Sequence, residues 1–354
     1  MKYSIIVPVY NRPDEVDELL ESLSNQTHRD FEVIIVEDGS VKTCKDVCDK
    51  YADILALHYY AKENSGPGQS RNYGAERSNG EWLLILDSDV VLPKGYLEAI
   101  DKSLSSTSDE IAAFGGPDAA HPSFTPVQKA ISYSMTSFFT TGGIRGSSPQ
   151  SGGARGALDK FYPRSFNMGI RRDVYLHLGG FTKMRFGEDI DFSYRIVEAG
   201  YRPRLFPDAW VWHKRRTDFK KFFRQVYNSG IARINLEKRH PGTMKLVHLL
   251  PTLFTVGVIA LILISAVGRA LMHYVDRDQF YWMCFAPWIP IILYSLLICI
   301  DSTIKNRSLR VGLLSVPAAF VQLMGYGLGF IESWWKRCVL KQDEFQAFEK
   351  TFYK

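Results

Sequence analysis

Two aspartates spaced two residues apart, Asp87 and Asp89, are the residues of this 354-residue chain best suited to chemistry. They directly follow the apolar run 82–86, which is too short to span a membrane and is typical of a buried parallel strand. Ligands bind at the carboxyl ends of the strands in an open α/β sheet. Divalent cations such as Mg²⁺ often join one or two carboxylates there to a substrate diphosphate. The spacing predicts a metal–diphosphate site, although such a pair also caps helices and closes turns.

The elements that must position this pair are predicted from the pattern before it. Residues 3–12, 31–36 and 55–60 are predicted strands, and helical spacing of apolar residues alternates with them. That alternation is typical of βαβ units and a parallel sheet. The second strand ends in the acidic turn 37–40, so we expect Asp38 to lie at the carboxyl edge of the sheet.

These motifs together resemble family 2 of the glycosyltransferases, whose catalytic domain has the GT-A fold. The matching segments are Ser4–Asn11, Glu37–Ser40, the Asn64, Gly66, Arg71, Asn72 and Gly74 motif, Asp87 with Asp89, and acceptor-side elements at 166–172, 179–181 and 187–191. The resemblance extends from residue 1 to about 240. It implies an α/β, Rossmann-like domain with a mostly parallel sheet, comprising a nucleotide-binding half over about 1–115 and an acceptor half over about 116–240.

The resemblance also implies a pocket for a nucleotide-diphosphate sugar. Asp38 is expected to accept a hydrogen bond from the base, although an aspartate before Gly39 is common in turns generally. Residues expected to line the same pocket are Pro8, Tyr10 and Arg12. Gly66 and Gly68 open a helix, whose N-terminus attracts anions. Arg71 resembles the family's nucleotide-contacting arginine, with a surface salt bridge as the plain alternative.

In the family the second aspartate of the pair binds the cation, here Asp89, with Mg²⁺ or Mn²⁺ expected. Asp87 would contact the ribose or assist with the metal. His213, after the segment 209–212, could be a further metal or phosphate contact, although a histidine beside a basic run is more often a surface residue.

The acidic segment 187–191 precedes a helical pattern, and acids at a helix start also suit its dipole. The family places its general base at the second residue of a Glu-Asp pair, here Asp189, with Glu188 positioning it. A carboxylate in reach of the acceptor hydroxyl could take its proton as the oxygen attacks the anomeric carbon. A base without a covalent nucleophile implies inversion at that carbon.

Two other functions remain as alternatives. Processive polysaccharide synthases of the family carry a Gln-x-x-Arg-Trp signature, and the comparable segment 224–228 has no Arg-Trp pair. A nucleotidyltransferase would usually carry a glycine-rich loop with a lysine or arginine after the first strand, where this chain has Pro8-Val9-Tyr10-Asn11. A single-addition hexosyltransferase therefore fits better than either.

The last third of the chain is apolar. The segments 249–268, 280–300 and 311–331 carry no charged residue, and each is about the length of a membrane-spanning helix, roughly 20 residues. We predict a membrane-associated region over 241–354 after the catalytic domain over 1–240. The third run holds Pro317 and four glycines, so it is predicted either to span or to be re-entrant.

Basic residues account for the formal charge of +5 and cluster between His213 and Lys245, just before the first apolar run. Such density suits an anionic membrane surface better than a nucleic acid, which we do not expect as a partner. Met1 leads directly into a predicted strand, so no signal peptide is expected. We therefore expect a cytoplasmic catalytic domain at the inner membrane. Its donor would be UDP- or GDP-linked, and its acceptor a polyprenyl-diphosphate-linked glycan of cell-surface assembly.

Overall fold

The computed structural model describes residues 1–106, 111–121, 123–141, 161–184, 186–214, 216–271 and 284–344. They divide into two compact units. The described part of the first unit lies within residues 1–121 and 161–214, and that of the second within 123–141 and 216–344. Residues 123–141 and 216–240, which the sequence analysis assigned to the catalytic domain, lie in the second unit by this division. Residues 219–239 fall in the second unit because they form a helix packed on other helices.

The strands of the chain, in order, are β1 Tyr3–Val9, β2 Phe31–Asp38, β3 Leu57–Lys62, β4 Trp82–Leu86, β5 Val90–Val91, β6 Ala113–Gly115, β7 Asp118–Ala119, β8 Asn167–Arg171, β9 Arg204–Leu205 and β10 Val211–His213. The helices are α1 Pro13–Ser24, α2 Lys45–Tyr51, α3 Pro67–Glu76, α4 Tyr96–Ser105, α5 Pro126–Thr136, α6 Phe138–Thr141, α7 Arg172–His177, α8 Glu188–Glu198, α9 Phe219–Arg239, α10 Leu250–Leu271, α11 Ile289–Asn306 and α12 Leu309–Trp334.

The first unit is built on a seven-stranded sheet of order β3-β2-β1-β4-β8-β6-β9. All neighbouring strands are parallel except β8, which is antiparallel to both β4 and β6. The predicted mostly parallel α/β sheet is therefore confirmed. Parallel strands with helices on both faces are buried on both sides, which accounts for the continuous apolar runs that marked them in the sequence.

Alternation along β1 shows how the two faces are filled. Ile5 and Val7 pack into one apolar cluster with Leu19 and Leu20 of α1. Ile6, pointing the other way, packs into a second cluster with Phe192 and Ile196 of α8. Successive side chains of a strand point to opposite faces, so one strand anchors helices on both sides of the sheet.

The second unit is helical, and α12 packs against α5, α9, α10 and α11. Three of its helical segments are long and apolar enough to cross a membrane by length and composition: Leu246–Ala270, Ala286–Asn306 and Leu309–Val339. The apolar runs predicted at 249–268 and 311–331 lie within the first and third of these. The run predicted at 280–300 overlaps the second, and its residues 280–283 lie outside the described residues. The helix α12 continues through Pro317 without a break.

Glycines allow α9 and α12 to pack so closely that the backbone of one helix contacts that of the other. A Cβ atom on Gly329 would lie 2.0 Å from the carbonyl oxygen of Tyr227, and one on Gly230 would lie 2.1 Å from that of Tyr326. Real Cβ atoms essentially never come so close, so either substitution would push the helices apart. Small residues at helix contacts are typical of membrane helices.

We expect Gly329→Ala to lower the melting temperature of the detergent-solubilised protein, because the added methyl group meets backbone that cannot move aside locally. Overpacking of this kind costs about 1–3 kcal/mol. Gly257→Ala in α10 is the matched control, since a Cβ there meets nothing within 4 Å. That variant should melt at the same temperature or higher, because alanine favours helix over glycine. Equal melting temperatures for the two variants would show that the close approach does not hold the helices together.

Candidate active site

The predicted aspartate pair lies where β4 ends and β5 begins, at the carboxyl edge of the large sheet. Strand β10 pairs antiparallel with β5 and places His213 opposite Val90, the residue after Asp89. As a result, His213 Nε2 lies 3.2 Å from Asp89 Oδ1. The second, three-stranded sheet thus brings together residues that are 124 positions apart in the chain.

Asp87, Asp89 and His213 each offer a ligand atom, and these three atoms lie within 4.8 Å of one another. The guanidinium of Arg12, the residue before α1, also approaches, with Nη1 3.4 Å from Asp89 Oδ2. Asp89 is buried, so its charge requires such positive partners. Carboxylate oxygens with one imidazole nitrogen form a donor set that suits a divalent cation. The residues fit a cation site that includes the predicted His213.

Two residues behind His213 were not predicted from the sequence to act in this site. Asp118 Oδ2 lies 3.8 Å from His213 Nδ1, and the Phe166 ring stacks on the imidazole with centroids 4.8 Å apart. The Asp118 contact is an ion-pair contact beyond hydrogen-bonding distance, so it places negative charge beside the outer ring nitrogen. A carboxylate in this place orients a metal-binding histidine when it accepts a hydrogen bond from that nitrogen. The position of Asp118 follows from the pairing of β7 with β10, a long-range contact that no local pattern indicates.

Asp38 lies at the end of β2, as predicted, but its carboxylate is already engaged. It accepts hydrogen bonds from the backbone N–H groups of Ser65 and Gly66, each at 2.9 Å, and from the ammonium of Lys62. Asp38 is also buried. The side chain therefore orders the loop that leads into α3, where Gly66 adopts a positive φ of 93°.

Asn64, a residue of the family motif, lies in the same loop. Its Nδ2 donates to the carbonyl of Asp38 at 2.8 Å, whereas its Oδ1 is buried and accepts no hydrogen bond from any described residue. Nearby at the end of β1, Tyr10 is exposed and Pro8 is half-buried. A buried acceptor without a partner is costly, and it indicates where a donor group could bind.

Arg71 joins the two acidic parts of the site. Its Nη2 lies 2.7 Å from Asp87 Oδ1 and its Nη1 lies 3.2 Å from Glu188 Oε1. The side chain is buried, with the guanidinium carbon 5.1 Å from the centre of the Phe181 ring. The surface salt bridge considered as an alternative for Arg71 is therefore wrong, because the arginine lies inside the unit between two carboxylates.

Glu188 and Asp189 occupy the first turn of α8 and differ in environment. Burial raises the pKa of Glu188 to about 7, although Arg71 opposes that shift. Asp189 lies 3.4 Å from Nη1 of Arg164, a residue just before β8 that the sequence did not single out. Both side chains are half-buried, and they differ in their partners: Glu188 contacts Arg71, whereas Asp189 contacts Arg164. Neighbouring acids with different charged partners can take separate tasks in positioning and proton transfer.

Comparison with known proteins agrees with this architecture. Residues 4–154 match Glycosyl transferase family 2, and residues 82–299 match Glycosyl transferase family group 2. An uncharacterized glycosyltransferase of Rickettsia bellii (strain RML369-C) is 40% identical over 97 residues, which are 27% of this chain and 14% of that protein. The pre-mycofactocin glycosyltransferase of Mycobacterium tuberculosis (strain CDC 1551 / Oshkosh) is 26% identical over 289 residues, covering 76% of this chain and 53% of that protein. The matches thus span about half or less of these relatives.

Among solved structures, the mannosyltransferase PcManGT from Pyrobaculum calidifontis, in complex with GDP-Man and Mn²⁺, has a TM-score of 0.55 to this chain. The two are 15% identical, and the match covers 95% of this chain and 88% of the other. At that identity the likeness shows the shared fold, which confirms the predicted GT-A architecture. Since the family group 2 match covers more than half of the chain, this protein belongs to the family 2 glycosyltransferases.

Proposed function

We propose that this glycosyltransferase is metal-dependent and inverting, and that it transfers a sugar from a UDP- or GDP-linked donor to a lipid-linked acceptor at a membrane surface. The observation that carries the proposal is that Arg71 lies between Asp87 and Glu188. One buried guanidinium contacts both the carboxylate pair suited to a metal–diphosphate and the acidic helix start suited to a base.

For the donor, we assign the cation to Asp89, Asp87 and His213. A divalent ion held there would stabilise the negative charge on the leaving diphosphate. Arg12, beside Asp89, is placed to contribute further positive charge toward a phosphate. Asp118 and Phe166 hold the imidazole of His213 in orientation.

For the nucleotide base, we assign Asn64 Oδ1 as the atom that accepts a hydrogen bond from the base. We assign Asp38 to hold the loop that carries Asn64. An imide or amide N–H of the base would satisfy the buried oxygen that no described residue satisfies. Tyr10 and Pro8, at the end of the neighbouring strand β1, would line the base.

For the transfer, we assign the general base to Asp189 and its positioning to Glu188. Asp189 would take the proton of the acceptor hydroxyl as that oxygen forms a bond to the anomeric carbon. The bond from this carbon to the diphosphate oxygen breaks on the opposite face, so the configuration inverts. Arg164 would hold the carboxylate of Asp189 in its orientation.

For the acceptor, we propose a polyprenyl-diphosphate-linked glycan at the inner membrane, with the first unit in the cytoplasm. The start of α9 exposes Lys220, Lys221, Phe223 and Arg224, a mixture of cations and an aromatic ring that suits anionic headgroups. The apolar helices of the second unit support the same location.

The cation site is tested by titrating Mn²⁺ into the protein by calorimetry. Asp89→Asn should abolish binding, and Asp118→Asn should weaken it about tenfold because the imidazole loses its orienting carboxylate. Asp46→Asn, at an exposed position on α2, is the control and should bind as the unaltered protein does. Full transfer activity in excess chelator would refute metal dependence.

The base is tested with Asp189→Asn, which keeps the shape of the side chain and removes its proton affinity. Donor binding should persist while turnover falls about 10²- to 10⁴-fold, the usual contribution of a general base. Asp173→Asn, on the exposed side of α7, should leave both unchanged. Product NMR should show the anomeric configuration opposite to that of the donor, and a retained configuration would rule out single displacement.

The lipid acceptor is tested by reversing Lys220, Lys221 and Arg224 to glutamate. Each basic residue near an anionic surface contributes about 1 kcal/mol, so use of a lipid-linked acceptor should fall far more than donor hydrolysis. Reversal of the exposed Lys42, Lys45 and Lys50 is the charge-matched control and should spare both activities. Equal loss of the two activities would make the α9 residues structural. A soluble sugar that served as well as the lipid would refute the acceptor.

A further inference from the structure

Arg71 is shared between two carboxylates that belong to separate elements of the first unit. Asp87 follows β4, and Glu188 is the first residue of α8. The two contacts use different guanidinium nitrogens, Nη2 to Asp87 and Nη1 to Glu188. A planar guanidinium presents its donors in a fixed fork, so a single orientation of the Arg71 head group has to serve both contacts.

The rest of the surroundings holds Arg71 in this bridging position. The guanidinium packs on the ring of Phe181, and Asn72, the next residue of α3, accepts a hydrogen bond from the Phe181 backbone N–H at 2.8 Å. Arg71 is buried, and its Nε donates to no described residue. The bridge is therefore a built part of the site rather than a surface ion pair.

The strengths of the two contacts are linked by charge. A cation divided between two acids is attracted more to one when the charge of the other is engaged elsewhere. If Asp87 is engaged by the donor, its attraction for Arg71 falls and the Arg71–Glu188 contact tightens. Glu188 precedes Asp189 in the first turn of α8, so a tighter contact orders the turn that carries the proposed base.

We infer that Arg71 is a positioning residue that couples donor occupancy at Asp87 to the order of the α8 start through Glu188. The inference rests on the proposed donor site and adds to it the residue through which the donor side and the base side are linked. Coupling between sites is reciprocal, so acceptor binding would also strengthen donor binding.

Hydrogen exchange of the full chain in detergent, with Mn²⁺ and either UDP or GDP at saturating concentration, tests this coupling. Nucleotide should slow exchange in a peptide covering residues 186–198 about fivefold or more, the lower end of typical coupling between sites. In Glu188→Gln the slowing should be lost there and should persist around residues 87–89. Each variant is saturated with nucleotide, so differences in occupancy do not contribute.

Arg71→Gln is the second variant and should lose the same slowing, in case Glu188→Gln perturbs α8 by itself. Arg77→Gln is the matched control, because Arg77 follows α3 and stacks on Tyr73 without contacting either acid. It should respond to nucleotide as the unaltered chain does. Undiminished slowing at 186–198 in Glu188→Gln and Arg71→Gln would overturn the inference, as would nucleotide that binds without slowing exchange there. Failure of nucleotide to bind at all would refute the donor site itself, and the coupling with it.

Discussion

A buried carboxylate at the end of β4 imposes the main constraint on the first unit. Asp89 is almost inaccessible to solvent, and a charge in that position is costly unless cations surround it. Arg12, the residue before α1, supplies positive charge, and His213 from β10 brings a ring nitrogen to 3.2 Å from the carboxylate. The small second sheet is the means by which His213 arrives, since pairing of β10 with β5 fixes its place. The position of His213 beside Asp89 therefore depends on the three-stranded sheet.

The acidic charge of the site is arranged in two groups that share one arginine. Asp87 and Asp89 form the first group and Glu188 with Asp189 the second, with Arg71 between them. The positive charge of Arg71 offsets part of the repulsion among these acids. The raised pKa of Glu188 has a structural cause, because burial disfavours its charged form even beside a guanidinium. Separate environments for neighbouring acids are how one site assigns them separate tasks.

The second unit depends on close backbone packing rather than on charge. Gly329 and Gly230 bring α9 against α12, and a buried hydrogen bond of 2.7 Å between Ser302 and Ser315 joins α11 to α12. The basic start of α9 remains exposed while its later turns are buried. One helix therefore combines a packed face with a charged end. The sequence showed only the charge, from which we expected the whole stretch from His213 to Lys245 to lie at a membrane surface.

The sequence by itself determined the α/β fold, the aspartate pair and the acidic helix start, because each depends on local pattern. A buried strand is visible as an apolar run, and Asp87 directly follows such a run, two residues before Asp89. The tertiary structure alone decided the antiparallel insertion of β8, the place of His213 beside Asp89, and the bridging role of Arg71. It also decided that Lys62, Ser65 and Gly66 donate to the Asp38 carboxylate, whereas Asn64 Oδ1 is buried without a hydrogen bond from the described residues. These depend on contacts between residues far apart in the chain, and spacing along a sequence carries no information about which distant charges must neutralise one another.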